Sequence, residues 1–144
     1  MYNIIIGNCL KRRWIANEPL QKKKKLPDTE FEIMKVAWAN EPPITTAMVM
    51  EQLGNEREWK APTVISLMMR LVEKGFLRTE KKGKERTYFP LVTKEDYLKF
   101  ETGKFMQLYH ENSFLSFVNA LYDGKRLSDR DIEELVNWVR ERGK

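Results

Sequence analysis

Trp59-Lys60-Ala61-Pro62-Thr63-Val64-Ile65-Ser66-Leu67-Met68-Met69-Arg70-Leu71-Val72-Glu73-Lys74-Gly75-Phe76-Leu77 is the stretch that decides the fold. Val64, Leu67, Met68, Leu71 and Val72 recur at i, i+3, i+4, i+7 and i+8, which predicts a helix with one apolar stripe. Gly75 suits the residue just past its end, and Phe76-Leu77 restart the chain. At about 100° per residue the stripe centres near Leu71. Pro62, Thr63, Ser66, Arg70 and Glu73 fall on the other side, with Ile65 and Met69 flanking them. Hydroxyls can exchange hydrogen bonds with base edges, arginine suits guanine or phosphate, and apolar side chains suit thymine methyls. An ordinary amphipathic helix with a solvated face gives the same wheel, so this helix alone does not settle function.

Its surroundings do more. Leu77 to Lys81, a turn at Lys82-Gly83-Lys84, and Glu85 to Leu91 read as a hairpin. Residues 60–94 sum to +6, with Lys81, Lys82 and Lys84 at the hairpin tip. Such a tip can approach a phosphate backbone, although a lysine-rich tip also serves solubility and edge protection. Upstream, Thr29-x-x-Glu32 has the form of a capping box. Phe31, Ile33, Met34, Ala37 and Trp38 then follow at helical spacing, and this first helix should end near Asn40, before Pro42-Pro43. Thr45 or Thr46 caps a second helix running to about Leu53, where Gly54-Asn55 should stop it. Three helices and then a two-stranded hairpin is the order of a winged helix-turn-helix, with the third helix placed for the DNA major groove. A mainly α fold is expected, with residues 26–92 forming this domain.

Residues 93–144 are expected to be a second, helical domain. One helix spans about Lys94 to His110 and another about Ser113 to Tyr122, broken by Asp123-Gly124. Ser128-x-x-Asp131 caps the last, whose stripe is Ile132, Leu135, Val136 and Val139. So short a segment cannot enclose Tyr97, Phe100, Phe105, Phe114, Phe117, Leu121, Tyr122 and Trp138 in a core of its own. Burial against a second copy solves this, and a two-fold dimer matches a pseudo-palindromic site. The competing solution is packing against the chain's own N-terminal domain.

Composition removes other classes. The chain has 144 residues, net charge +5, one cysteine (Cys9) and one histidine (His110). No apolar run is long enough to span a membrane. One cysteine allows neither a disulfide framework nor a multi-cysteine metal site. His110 has no acid-base-nucleophile constellation beside it, and packing or surface exposure is the simpler role. Glu95 and Asp96 are adjacent, so on a helix they diverge. No enzyme, metal or cofactor is expected, and a cytoplasmic protein is the default. Residues 1–25 hold seven Lys/Arg and one acid and read as a basic extension outside the domain core. Without it the chain is nearly neutral. A basic stretch at 60–94 is joined to a mildly acidic 95–144.

Leu26-Pro27-Asp28-Thr29-Glu30-Phe31-Glu32-Ile33-Met34-Lys35-Val36-Ala37-Trp38 resembles the first helix of the penicillinase-repressor family, and 59–77 resembles its recognition helix and entry to the wing. The resemblance runs from about Leu26 to the C-terminus and is strongest up to Leu91. It implies a bacterial, homodimeric winged-helix repressor on a palindromic operator, with Thr63 and Ser66 where the family reads bases and Arg70 where it contacts DNA. Ile65 and Met69 are apolar where relatives are often polar, and Lys60 replaces a hydroxyl cap. Trp59 is expected to pack. The DNA-facing set is then Thr46, Lys60, Ala61, Pro62, Thr63, Ile65, Ser66, Met69, Arg70, Lys74, Lys81, Lys82, Lys84 and Arg86. The dimerisation set is Tyr97, Phe100, Phe105, Leu108, Tyr109, Phe114, Phe117, Val118, Leu121, Leu135, Trp138 and Val139. The resemblance also implies derepression by a membrane sensor or protease that cuts after an asparagine. Asn119-Ala120 is the nearest counterpart here, with alanine in place of phenylalanine. The cysteine cluster of copper-responsive relatives is absent. A winged helix used for protein–protein contact, without sequence-specific DNA binding, is the alternative.

Overall fold

The computed structural model describes residues 25–143. The basic stretch through residue 24, including Cys9, lies outside them. The order is α1 (Asp28–Ala39), β1 (Ile44–Thr45), α2 (Thr46–Val49), a π-helical turn (Met50–Gly54), α3 (Asn55–Arg57), α4 (Ala61–Glu73), β2 (Leu77–Lys82), β3 (Glu85–Pro90), α5 (Lys94–His110), α6 (Phe114–Asp123) and α7 (Asp129–Arg142). One compact unit ends at Glu101 and a second begins at Thr102.

The first unit is a winged helix. α1 starts at Asp28 with Pro27 at its cap and no side-chain cap bond, so the expected Thr29–Glu32 capping box does not form. The proline presets the entry angle, and Asp28 and Glu30 in the first turn favour the positive end of the helix dipole. Thr45, not Thr46, caps α2, its hydroxyl accepting from the Met48 N–H at 3.2 Å. Gly54 does not stop the helical path as expected. It is buried against Met50, and the chain winds on through α3 until Glu58 takes a left-handed conformation at φ 56°. Gly75 does end α4, at φ 81°.

The sheet is antiparallel in the order β1-β3-β2, with Ile44 opposite Tyr88 and Lys82 opposite Glu85. Gly83 closes the wing at φ 62°, a conformation that favours glycine. The core joins Ile33, Met34 and Ala37 of α1 to Val64, Met68 and Leu71 of α4, with Ile44, Val49, Phe76 and Tyr88 filling the rest. Three features lock α1 to the chain beyond the wing. The Trp38 indole N–H donates to the Val92 carbonyl at 2.8 Å. Tyr97 stands among Phe31, Trp38 and Phe76 with ring centroids 5.6–5.9 Å away. The Leu26 N–H donates to the Tyr97 hydroxyl at 3.1 Å.

Tyr97 and Phe100 do not lie in the dimerisation half, where the sequence places them. Tyr97 is 4% exposed in the winged-helix core, and Phe100 packs against that core. The first turns of α5 bring Tyr97 beside Phe31 and Trp38 and lay Phe100 against the core, so the unit runs past 92 to Glu101.

The second unit is the end of α5 with α6 and α7. Ser113 caps α6, and Ser128 and Asp131 form the expected capping box of α7. His110 packs between Phe105 and Phe117 at 5.4 and 5.6 Å, and its Nδ1 lies 2.9 Å from the Ser116 hydroxyl.

Candidate nucleic-acid interface

α4 turns Val64, Leu67, Met68 and Leu71 into the core. That orientation leaves Ala61, Pro62, Thr63, Ile65, Ser66 and Arg70 exposed on its outer face. Pro62 sits in the first turn, where its missing N–H costs nothing. Lys60 takes the cap position with an extended backbone and no side-chain cap bond, and it is exposed. Pro62, Thr63, Ser66 and Arg70 line a shallow depression of about 380 Å³.

The wing rises beside this helix. Lys81, Lys82 and Lys84 are exposed around Gly83. Between wing and helix lies an open concavity of about 430 Å³. Ile65 and Ala47 line it on the helix-turn-helix side, and Lys81, Lys84, Glu85 and Arg86 on the wing side. Tyr88, Thr45 and Thr46 complete the lining. Burial pushes the Tyr88 phenol above its ordinary 10.0, opposed by the Arg86 charge and the Thr46 hydrogen bond. The phenol therefore stays neutral and polar.

Several expected DNA contacts are otherwise engaged. Lys74 is exposed but is not a free cation. Its ammonium lies 2.6 Å from Glu30, a carboxylate on α1 that is 2% exposed. Burial leaves that carboxylate dependent on a cation, and Lys74 is within reach at the end of α4. Met69 flanks the polar face, but its side chain is not given over to it. It is half-buried and packs on the core. Arg86 is half-buried and donates to the Thr79 hydroxyl at 3.4 Å. Thr46 is half-buried, its hydroxyl 4.0 Å from the Met68 sulfur. Trp59 packs on the core as expected. Sequence reasoning did not single out Ala47, Glu85 or Tyr88 for the concavity, since a two-residue strand at Ile44–Thr45 brings α2 beside the wing without leaving a periodic signal.

The second unit presents a different surface. No described residue beyond Tyr97 is buried. Phe117, Val118, Leu121 and Leu135 are half-buried, and Phe105, Leu108, Tyr109, Phe114, Trp138 and Val139 are exposed, Leu108 at 72%. Tyr122 of α6, one of the rings expected to need a second copy, is also exposed, as is Leu115, which the sequence did not single out. Asn119 is exposed within α6.

A three-stranded sheet with a basic wing, set beside a helix that buries one face and offers hydroxyls and an arginine on the other, defines a winged helix-turn-helix of the DNA-binding class. The penicillinase repressor family model matches residues 26–141, and the chain belongs to that family. The penicillinase repressor of Bacillus licheniformis is 28% identical over 122 residues, covering 85% of this chain and 94% of that protein. The methicillin resistance regulatory protein MecI of Mammaliicoccus sciuri is 30% identical over 117 residues, covering 81% and 94%. Among solved structures, the DNA-binding domain of the repressor BlaI is 33% identical, covering 53% of this chain and 92% of that one, with a TM-score of 0.46. The family is one of repressors, not of enzymes. No helix among the described residues is long and apolar enough to cross a membrane.

Proposed function

We propose that this chain, a DNA-binding transcriptional repressor by family, acts as a cytoplasmic homodimer on a palindromic operator. The observation that carries the DNA reading is the joined surface of α4 and wing. Thr63, Ser66 and Arg70 stand exposed in the position of a major-groove helix, and Lys81, Lys82 and Lys84 stand where flanking phosphates would pass. Lys60, Ala61 and Pro62 form the helix end that meets the backbone first, and positive charge with open N–H groups suits a phosphate there. The hydroxyls and Arg70 supply base readout, while the wing supplies affinity that depends on salt and not on sequence.

Dimerisation rests on the second unit. Its rings and aliphatic side chains remain largely in water in the single chain, a costly state that a second copy would relieve. Derepression by a membrane sensor or protease is the family-like mode. Asn119 lies within α6, so cutting at Asn119-Ala120 requires α6 to open first.

Selection from a random duplex pool tests the proposal. The full chain should enrich a pseudo-palindrome. Replacing Lys81, Lys82 and Lys84 together by alanine should weaken binding to every sequence and lower the log–log salt slope by about 3 per protomer. Enrichment of no sequence by the wild-type chain would overturn it.

A further inference from the structure

Every long or branched apolar side chain of α4 except one has a place in or against the core. Val64, Leu67, Met68 and Leu71 are buried, and Met69 and Val72 pack on the cluster. Ile65 is the exception, 44% exposed on the outer face beside Ser66. It forms a wall of the concavity whose far side carries Lys81, Lys84 and Arg86. It therefore stands between the hydroxyls of the helix and the cations of the wing. In a helix an isoleucine holds essentially one χ1 rotamer, so its arms are already placed and little entropy is lost when they meet a partner. In the major groove the methyl group on offer is the C5-methyl of thymine, and the groups that distinguish the other bases there are hydrogen-bond donors or acceptors. An isoleucine pressed on such an edge would strip its water and return no bond.

We propose that Ile65 is a specificity-determining residue that reads a thymine methyl in each operator half-site. This rests on the repressor reading above and narrows it: the half-site must hold a thymine at the position facing Ile65, flanked on one side by the bases that Thr63 and Ser66 face. Substitution at Ile65 leaves the core untouched, and alanine is the better helix former there.

Uracil is thymine without its methyl group and pairs identically, so it isolates the contact. After selection of a bound duplex, each thymine of the half-site is replaced in turn by uracil. The affinities of the wild-type full chain and of Ile65→Ala are then measured at one salt concentration. For the wild type, uracil at one position per half-site should weaken binding about fourfold, the worth of one buried methyl-sized group. For Ile65→Ala, uracil at that same position should make no difference, while its salt slope stays that of the wild type. If no uracil position costs the wild type more than it costs Ile65→Ala, the assignment of Ile65 is overturned and the repressor reading stands. If the wild-type chain selects no sequence at all, both fall together.

Discussion

Replacing Lys74 by methionine separates two roles that one lysine on a DNA-facing helix could play. Methionine keeps most of the aliphatic stem and removes the ammonium that lies 2.6 Å from Glu30. The Glu30 side chain is 3% exposed, so the carboxylate would be left without its cation and nearly without water. Breaking a buried pair from one side costs about 3–5 kcal/mol. Lys74 keeps 40% of its side chain in solvent, so screening reduces the figure to about 2–3 kcal/mol. For a domain of this size the loss lowers Tm by roughly 10–20 °C. The double variant Glu30→Gln with Lys74→Met should recover much of it, because no charge is then stranded. Thermal unfolding followed by circular dichroism reads the stability, and operator affinity across a salt series reads the DNA role. The expected result is a large fall in Tm with the salt slope unchanged. An unchanged Tm together with a salt slope lower by about 1 per protomer would refute the pairing and return Lys74 to the phosphates.

Three further outcomes rest on other contacts in the two units. Tyr97→Phe leaves the Leu26 N–H buried without an acceptor and should cost about 1–3 kcal/mol in denaturant unfolding, with the dimer dissociation constant unchanged; a weaker dimer instead would put Tyr97 back on the association surface. Leu108→Glu places a charge on the most exposed of the aliphatic side chains of the second unit and should weaken self-association more than about tenfold in sedimentation, leaving the Tm of the winged helix in place. The Asp131 carboxyl accepts from the Ser128 N–H, which holds it below its ordinary 3.8; its support for α7 is present above that value and is lost as pH falls through the lower folded value, so Asp131→Asn should flatten the acid limb of helicity against pH.

What the sequence made legible was set by periodicity and by glycine. The α4 stripe and the positive φ of Gly75 and Gly83 place the recognition helix and the wing within a residue or two of the expected bounds. Where the structure adds to or alters the reading, the deciding contact lay far along the chain in some cases and in a local detail without a signal in others. Lys74 reads as a free cation until Glu30 is seen beside it. Met69 reads as a groove residue because a wheel gives directions only, and a flanking position still reaches the core when the side chain is long and flexible. Tyr97 and Phe100 read as part of the helical half because they lie in its helix, yet Tyr97 meets Phe31 and Trp38 of α1 and Phe100 packs on the winged-helix core. Gly54 reads as a stop because the wider turn at Met50–Gly54 has no distinctive composition. Ile65 was legible as an oddity, and only the packing of its neighbours shows that no core takes it in.

The hydrogen bond from Leu26 to Tyr97 joins positions 71 apart in the chain. It fastens the opening residue of the winged helix to a tyrosine that comes after the wing has closed. Neither end can fray alone, because releasing Leu26 strands a hydroxyl inside the aromatic cluster, and withdrawing α5 uncovers Phe31 and Trp38. The two ends form one cooperative seam, and opening it amounts to opening the domain. A DNA-reading fragment cut where the strands finish, at Pro90 or Val92, would lack the residue that closes the seam. The smallest piece that keeps the core whole extends through Glu101.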